Sequence, residues 1–215
     1  MKVLSINVGS LREMLRNGKK IQTGIFKESI EGQIEVKRLG LEGDQQANNK
    51  LHGGIYKAIC VYASEYYDLW KEELAKPDLS FGDFGENLTT IGLLEDDIYL
   101  GDRLRIGTVE VVVTQPREPC ITLDARLGIK DLSARIRKSG RSGFYFSVEK
   151  EGVIKNGDSI ENISQEKNKV SISDFNQIIN KKLEIDDIIE RASKIYGLPP
   201  KLKKKFLKNL NLLKS

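Results

Sequence analysis

Short strand-like runs separated by glycine-containing turns fill the first three quarters of this 215-residue chain and then stop. β-branched and aromatic residues favour strands, and Gly-Asp pairs suit the tight turns between them. From residue 164 onward the chain is rich in Lys, Ile, Leu and Asn and contains few glycines. The change predicts a boundary between Glu161 and Lys167, with a strand-rich domain over residues 1–163 and a helical extension over residues 168–215.

The strand-rich part is predicted to be a β-barrel with peripheral helices, which makes the fold class β-rich α+β. The expected strands cover residues 1–8, 21–26, 35–39, 58–62, 97–100, 103–106, 109–114 and 143–148. A helix over residues 64–76 carries Tyr67, Trp70 and Leu74 on one face, and a second helix near residues 129–138 ends at Gly140. The extension is predicted to form a small three-helix unit, with the last helix beginning at Pro199-Pro200.

Composition narrows the class of protein. Hydrophobic residues make up 39% and charged residues 31% of the chain, and no apolar run approaches the roughly 18 residues that span a bilayer. The N-terminus lacks the features of a signal peptide, and Cys60 and Cys120 are too few for a disulfide scaffold. We therefore expect a cytoplasmic protein.

The charge of the chain is uneven. Residues 164–215 contain twelve Lys and Arg against six Asp and Glu, whereas the whole chain has a net charge of +4. Nucleic-acid binding is the weaker interpretation of this basic tail, because its lysines lack interleaved aromatic residues apart from Phe206.

The segment Gln115-Pro116-Arg117-Glu118-Pro119-Cys120 directly follows a strand-like run. Two prolines stiffen the loop, and Arg117 places a positive charge near the thiol of Cys120. Positive charge favours the thiolate, which attacks electrophiles and binds soft metals. Cys120 is therefore a candidate site residue, and the alternative is a small core residue beside a structural turn.

A second candidate patch contains His52, the one histidine of the chain, followed by Gly53-Gly54 and Lys57. Glycines let the backbone approach a ligand, and exposed N–H groups can form an anion-binding nest. One His and one Cys do not make a structural zinc site, although a Cys-His hydrolase stays open. A third patch places Glu86 and Asn87 at a glycine-flanked bend, where the alternative is a turn capped by its own side chains.

Taken in order, these motifs resemble the MOSC domain family, which is shared with molybdenum cofactor sulfurases. More narrowly, the chain resembles the bacterial hydroxylaminopurine-resistance, or YiiM-like, type with a C-terminal three-helix extension. The matching segments are Thr23-Gly24-Ile25-Phe26-Lys27, Gly43-Asp44-x-Gln46-Ala47, His52-Gly53-Gly54-x-x-Lys57-Ala58, Phe84-Gly85-Glu86-Asn87-Leu88, Gly101-Asp102 and Gln115-Pro116-Arg117-x-Pro119-Cys120.

The resemblance implies a β-barrel-like fold that binds the molybdenum cofactor, with Cys120 as the protein's ligand to molybdenum and His52 as a second catalytic residue. It implies reduction of N-hydroxylated compounds, such as hydroxylaminopurines and hydroxylamines, to amines. A flavoprotein reductase is then the expected electron donor, and a homodimer is left open. The implied cofactor-binding residues are Lys27, Asp44, Gly53, Gly54, Lys57, Asn87 and Arg117.

The chain departs from the family pattern at two positions. Asn48 stands where the family commonly has Asp, and Ser147 stands where it usually has Arg. The absence of that arginine bears on substrate preference. A protein of another class stays open as well: a carrier that holds the cofactor or sulfane sulfur on Cys120 without reducing a substrate.

Overall fold

The computed structural model describes residues 1–48, 53–179, 186–195 and 197–204. The strands, in chain order, are β1 (Lys2–Val8), β2 (Arg12–Arg16), β3 (Lys19–Thr23), β4 (Glu28–Ser29), β5 (Gln33–Lys37), β6 (Gly40–Leu41), β7 (Ile59–Ala63), β8 (Leu88–Ile91), β9 (Arg103–Ile106), β10 (Val109–Pro116), β11 (Phe144–Lys150), β12 (Gly152–Lys155) and β13 (Ile160–Ser164). The α-helices are α1 (Glu65–Glu73), α2 (Ile121–Leu127), α3 (Leu132–Ser139), α4 (Ile172–Ile179) and α5 (Asp186–Lys194), and residues 200–204 are also helical.

The largest sheet has eight strands in the order β13-β9-β10-β11-β7-β8-β1-β4. β7 and β8 are parallel, and their crossover contains α1, as a parallel connection requires. β12, β5 and β6 form a separate three-stranded sheet, and β2 and β3 form a hairpin that pairs with no third strand of the described chain. The predicted β-rich α+β class is confirmed.

The large sheet is open in its strand order, so a closed barrel is not confirmed. The sheet does curl back on itself, because the segment before β13 meets the start of β1. The Val3 N–H donates to the Asp158 carbonyl at 3.0 Å, and the Ile160 N–H donates to the Met1 carbonyl at 3.0 Å. These contacts join the first and last parts of the strand-rich region without a continuous ladder.

Two buried clusters fill the interior. The larger lies on the main sheet and includes Ile6, Val61, Leu104, Val113 and Phe146. The smaller is aromatic and lies beneath α1, α2 and α3, where Tyr62, Tyr67, Trp70 and Phe84 pack with Leu123, Leu132 and Ile136. The Trp70 indole N–H donates to the Tyr62 hydroxyl at 2.7 Å, which satisfies a polar group that the cluster buries.

The described part of the extension packs onto the same core as the strands. Val170, Ile172, Ile189 and Ala192 belong to the larger cluster and are almost fully buried. The Ile172 N–H donates to the Ile98 carbonyl at 3.0 Å. The predicted domain boundary at residues 163–168 stays a prediction. The described helices pack closely against the sheet.

Several element boundaries differ from the sequence predictions. The predicted strand at 97–100 is a turn with one isolated bridge from Tyr99 to Ser171. β10 runs to Pro116 instead of ending at residue 114, which the ladder tolerates because β9 pairs only with residues 109–112. Helix α2 was not predicted, because its seven residues are too few to show a helical period. Most of the third predicted helix of the extension lies outside the described residues.

Candidate functional site

A cavity of about 530 Å³ lies where the loop after β10 meets the β2–β3 hairpin. This volume is in the range of small-molecule and cofactor sites. Its walls come from six segments that are separate in the sequence: the hairpin with the residues that follow it, the loop before residue 49, the start of β7 with the turn before it, the bend before β8, the loop after β10 with the start of α2, and β11. In that order they contribute Arg16, Ile21, Gln22, Thr23, Gly24, Ile25 and Lys27; Gln45, Gln46, Ala47 and Asn48; Lys57 and Cys60; Gly85 and Asn87; Arg117, Glu118, Cys120 and Thr122; and Tyr145.

Cys120 lies on the cavity wall at the point where the loop becomes α2. It has extended backbone geometry, with φ −125° and ψ 163°, and its carbonyl accepts the Leu123 N–H at 2.9 Å. The residue is half-buried and its thiol is not in a disulfide. The strand end, the two prolines and the first turn of α2 together hold Cys120 in a defined position.

Arg117 forms a buried cationic wall of the cavity. Its backbone N–H donates to the Gly143 carbonyl at 2.9 Å, and its Nη2 donates to the Phe84 carbonyl. Burial lowers the pKa of Arg117 and the ionised forms of Cys60 and Tyr145 raise it, with a net upward shift, so the guanidinium stays charged. No carboxylate lies within ion-pair distance of Arg117 in the part of the chain that the structure describes. The guanidinium is therefore a charge to which an anionic ligand would be complementary.

Lys57 enters the cavity from a single 3₁₀ turn, Ile55–Lys57. Gly54 precedes this turn with φ 89°, a conformation that L side chains rarely adopt, and its carbonyl accepts the Lys57 N–H at 2.9 Å. The ammonium lies 5.5 Å from the centroid of the Tyr145 ring. Burial lowers the pKa of Lys57, and the nearby Glu118 opposes that shift.

Lys27 and Asp44 form a buried ion pair beside the cavity. Asp44 Oδ1 accepts both the Lys27 ammonium and the Gly9 N–H, the latter at 2.9 Å. Asp44 Oδ2 is buried without a hydrogen-bond partner in the described protein. Lys27 lines the cavity whereas Asp44 does not, so Asp44 balances and orients the lysine from behind.

Asn87 and Cys60, which both line the cavity, are joined by two hydrogen bonds. The Cys60 N–H donates to Asn87 Oδ1 at 3.0 Å, and the Asn87 N–H donates to the Cys60 carbonyl at 2.8 Å. The Asn87 amide also donates to the Asn7 carbonyl at 3.3 Å, so much of this side chain holds β1 against β7. Burial raises the pKa of the Cys60 thiol to about 11.

Glu86 stands behind the cavity and organises the bend that precedes β8. Its Oε1 accepts the Tyr67 hydroxyl, the Gly82 N–H at 2.8 Å and the Thr89 hydroxyl at 2.7 Å. Burial raises the pKa of Glu86, and its Oε2 has no partner within the described ranges. This arrangement matches the interpretation of a turn capped by its own side chains.

The structure brings together the predicted site residues Lys27, Lys57, Asn87, Arg117 and Cys120 around one cavity.

Other predicted positions lie elsewhere. Gly53 and Gly54 are near Lys57 but do not line the cavity, so an anion nest there stays a prediction. His52 lies outside the described residues. Asn48 lines the cavity, whereas Ser147 lies further along β11 and does not.

Sequence reasoning missed several cavity residues. Cys60 was interpreted as a core residue; it is buried, but it also lines the cavity. Arg16 and Ile21 come from a hairpin whose position over the site depends on tertiary packing. Tyr145 sits two residues after Gly143 in the family pattern, and that proximity was the available signal.

Cys120 supplies a single soft sulfur donor, which suits a metal that arrives already held by other ligands. Within the described ranges, no group of three or more His, Cys, Asp and Glu side chains is arranged to hold a metal ion. The same ranges contain no helix with both the length and the apolar character needed to cross a bilayer.

The fold and the cavity define a strand-rich α+β protein with a basic, thiol-lined ligand site. The model of the MOSC domain matches residues 48–161, just over half of the chain. The chain belongs to the MOSC domain family and is a YiiM-like member of it.

Three comparisons illustrate the relationship. The protein YflK of Bacillus subtilis is 40% identical over 82% of this chain and 79% of its own length. The crystal structure of YiiM from Geobacillus stearothermophilus superposes with a TM-score of 0.80 and 31% identity, covering 97% of this chain and 98% of that one. A Gibberella moniliformis protein named reductase is 29% identical over 82% of this chain. The matched region covers only 32% of that relative's length.

Proposed function

We propose that this protein binds the molybdenum cofactor in the cavity and reduces N-hydroxylated compounds to amines. The observation that carries the proposal is the position of Cys120 on the wall of a cavity that also contains the buried Arg117. The family membership and the name of the Gibberella moniliformis relative point to the same cofactor and the same general class of reaction.

The charges of the cavity fit a phosphorylated, sulfur-rich cofactor. The cavity is lined by three basic residues besides Lys27, which are Arg16, Lys57 and Arg117. Among the described residues that line it, the one acidic residue is Glu118. Lys27 also lines the cavity, although Asp44 already balances its charge. The net positive charge, together with the lack of a carboxylate partner for Arg117, favours an anion.

Each residue then has a distinct task. When bound, the cofactor supplies the redox-active metal. Cys120 offers the thiolate that would anchor that metal, and the cations Lys57 and Arg117 would hold the cofactor's anionic groups. The hairpin residue Ile21 and the neighbouring Ile25 line the cavity with apolar side chains, which limits the water that reaches a bound substrate.

The activity is tested with protein made in a host that produces the cofactor. A chemical reductant and 6-N-hydroxylaminopurine or hydroxylamine are supplied, and the amine product is measured. We expect turnover by the wild type and its loss in Cys120→Ser. Molybdenum-loaded protein that converts neither compound would overturn the proposed reaction.

A carrier function is the second candidate, because the half-buried thiol of Cys120 lines a cavity without being in a disulfide. In that case Cys120 would hold cofactor or sulfane sulfur without reducing a substrate. Mass spectrometry of the purified protein separates the two functions. A persulfide on Cys120 in molybdenum-free protein supports the carrier.

Electrons would have to come from another protein, and a flavoprotein reductase fits that need. Titration of the loaded enzyme with a reduced flavoprotein tests this part of the proposal. Turnover with a chemical reductant but with no flavoprotein donor would contradict it.

A further inference from the structure

Tyr145 places a hydroxyl at the cavity that the protein itself does not use. The residue lies on β11, is 6% exposed and lines the cavity. Its hydroxyl makes no hydrogen bond to the described protein. By contrast, the hydroxyls of the buried Tyr62 and Tyr67 donate to the Arg141 carbonyl and the Glu86 carboxylate. Buried polar groups are normally paired, so an unused hydroxyl at a cavity indicates a ligand.

The hydroxyl oxygen of Tyr145 is open to the cavity. In the described interior, four side-chain polar atoms are fully buried without a hydrogen-bond partner. The Tyr145 hydroxyl oxygen also has no partner but is not among these four, so it is not fully buried. The backbone of Tyr145 is held rigidly: it pairs with Cys60 on one side and Gln115 on the other, and its carbonyl accepts the Thr114 hydroxyl at 3.1 Å. The hydroxyl is therefore presented by a fixed strand and needs no rearrangement to meet a ligand.

The surroundings indicate what kind of group the hydroxyl would meet. Tyr145 lines the same cavity as Cys120, Glu118 and Arg117. A tyrosine phenol is protonated at neutral pH, so its hydroxyl acts as a neutral donor. Cations suit the charged groups of a cofactor, whereas a neutral donor near the thiol suits an uncharged oxygen.

We propose that Tyr145 is a substrate-contacting residue whose hydroxyl donates a hydrogen bond to the N–O oxygen of the bound N-hydroxylated compound. This inference rests on the proposed function and assigns the residue that orients the group to be reduced.

The test uses the oxidised, cofactor-loaded protein without an electron donor, so that binding is measured without turnover. Calorimetry gives the Kd of 6-N-hydroxylaminopurine and of adenine, which lacks the N–O oxygen. Tyr145→Phe keeps the ring beside Lys57 and removes only the hydroxyl. We expect the Kd of 6-N-hydroxylaminopurine to rise about tenfold, as for the loss of one hydrogen bond, and the Kd of adenine to stay unchanged.

Tyr62→Phe is the matched control, because its hydroxyl is fully used inside the aromatic cluster. We expect it to lower the urea midpoint without changing either Kd, whereas Tyr145→Phe should leave the urea midpoint unchanged. Steady-state assays should show a raised KM for the hydroxylaminopurine in Tyr145→Phe alone.

The outcomes separate this inference from the function on which it rests. If the wild type reduces the compound but Tyr145→Phe matches it in Kd and KM, the assignment of Tyr145 is wrong and the function stands. Equal weakening of adenine binding would also overturn the assignment, since it would show a general packing effect. If the wild type neither binds nor reduces the compound, both fail.

Discussion

Asp44 affects the cavity through Lys27, because the two form a buried ion pair and only Lys27 of the pair lines the cavity. Removing one partner of a buried ion pair leaves an uncompensated charge, which costs about 3 to 5 kcal/mol. We expect Asp44→Asn and Lys27→Met each to lower the free energy of unfolding by roughly that amount. The double variant should lose less than the sum, because no lone charge remains.

Urea unfolding of the wild type, both single variants and the double variant measures this coupling. Single variants that each cost under about 0.5 kcal/mol, as for an exposed pair, would contradict the assignment of a buried, structural ion pair.

The two thiols should differ in reactivity although both line the cavity. The pKa of Cys60 is raised by burial from 9.0 to about 11, and Cys60 is buried, whereas Cys120 is half-buried. In the native apoprotein at pH 8, iodoacetamide should therefore modify Cys120 at least about tenfold faster than Cys60. Peptide mass spectrometry measures both rates, and urea-unfolded protein, in which both thiols should react alike, is the control.

The raised pKa of the Cys60 thiol also affects the stability of the protein at high pH. Between pH 9 and about 11 the folded state keeps a proton on Cys60 that the unfolded state loses, so the free energy of unfolding should fall as the pH rises through this range. Cys60→Ala should remove that part of the pH dependence.

In the labelling experiment, equal rates at Cys60 and Cys120 in native protein would contradict the burial of Cys60.

At the residue scale, the sequence identified the groups with distinctive chemistry. Cys120, Arg117 and Lys57 were predicted because thiols and cations inside glycine- and proline-rich loops are recognisable without a structure. Tyr145 and Cys60 were not predicted as site residues, since aromatic and apolar neighbours in a strand look the same whether they face a core or a cavity.

At the element scale, the β2–β3 hairpin covers the site although it pairs with no third strand in the described chain. Arg16 Nη1 donates to the Thr122 hydroxyl at 2.9 Å, which ties the hairpin to the helix that follows Cys120. The centroid of the Phe26 ring lies 5.8 Å from the guanidinium carbon of Arg12 and 4.6 Å from that of Arg126. We infer that these few contacts hold the hairpin over the cavity.

Arg16→Ala should loosen the hairpin without unfolding the protein. We expect faster hydrogen exchange in peptides covering residues 12–23 and a change in the free energy of unfolding below about 1 kcal/mol, as for a single, partly exposed hydrogen bond. Lys20→Ala is the control, because the one ion pair of Lys20 among the described residues is with the exposed Glu13 on the same hairpin. Unchanged exchange in Arg16→Ala, or equal acceleration in both variants, would contradict the role of the Thr122 contact.

The sequence predicted best those elements that have a clear hydrophobic period and end at a glycine or a turn. β9 begins and ends as predicted, and α3 ends at Gly140, which adopts φ 79°. Six strands were not predicted, because they are short or only partly apolar: β2, β4, β6, β8, β12 and β13. Their pairing depends on partners far away in the chain, and a single sequence does not specify such partners.

At the scale of the whole molecule, the described helices of the extension complete the hydrophobic core of the sheet. Val170, Ile172, Phe175 and Ile189 lie in the same cluster as the strands. Asn176 contacts the loop between α3 and β11, where its amide donates to the Ser142 hydroxyl at 2.9 Å and to the Gly140 carbonyl at 3.2 Å. The compositional change near residue 164 predicted a helical extension, but it did not predict that the described helices share a core with the strands.

Truncation after residue 167 should therefore expose a large apolar surface on the remaining chain. We expect an insoluble or partly unfolded product, measured by sedimentation and by near-ultraviolet circular dichroism. A truncated protein that stays soluble and keeps native circular dichroism would show that the extension is a separable unit. In that case docking of an acidic donor protein to its basic surface becomes the better explanation of its charge.

The content of molybdenum in the purified protein tests the central claim most directly. Wild type, Cys120→Ser, Arg117→Ala and the control Cys60→Ala are made in a cofactor-producing host and analysed by mass spectrometry of the metal and the pterin. We expect about one molybdenum and one pterin per chain in the wild type and in Cys60→Ala, loss of molybdenum in Cys120→Ser, and lower occupancy of both in Arg117→Ala. Wild-type protein that is folded but contains neither molybdenum nor pterin would contradict the assignment of the cavity.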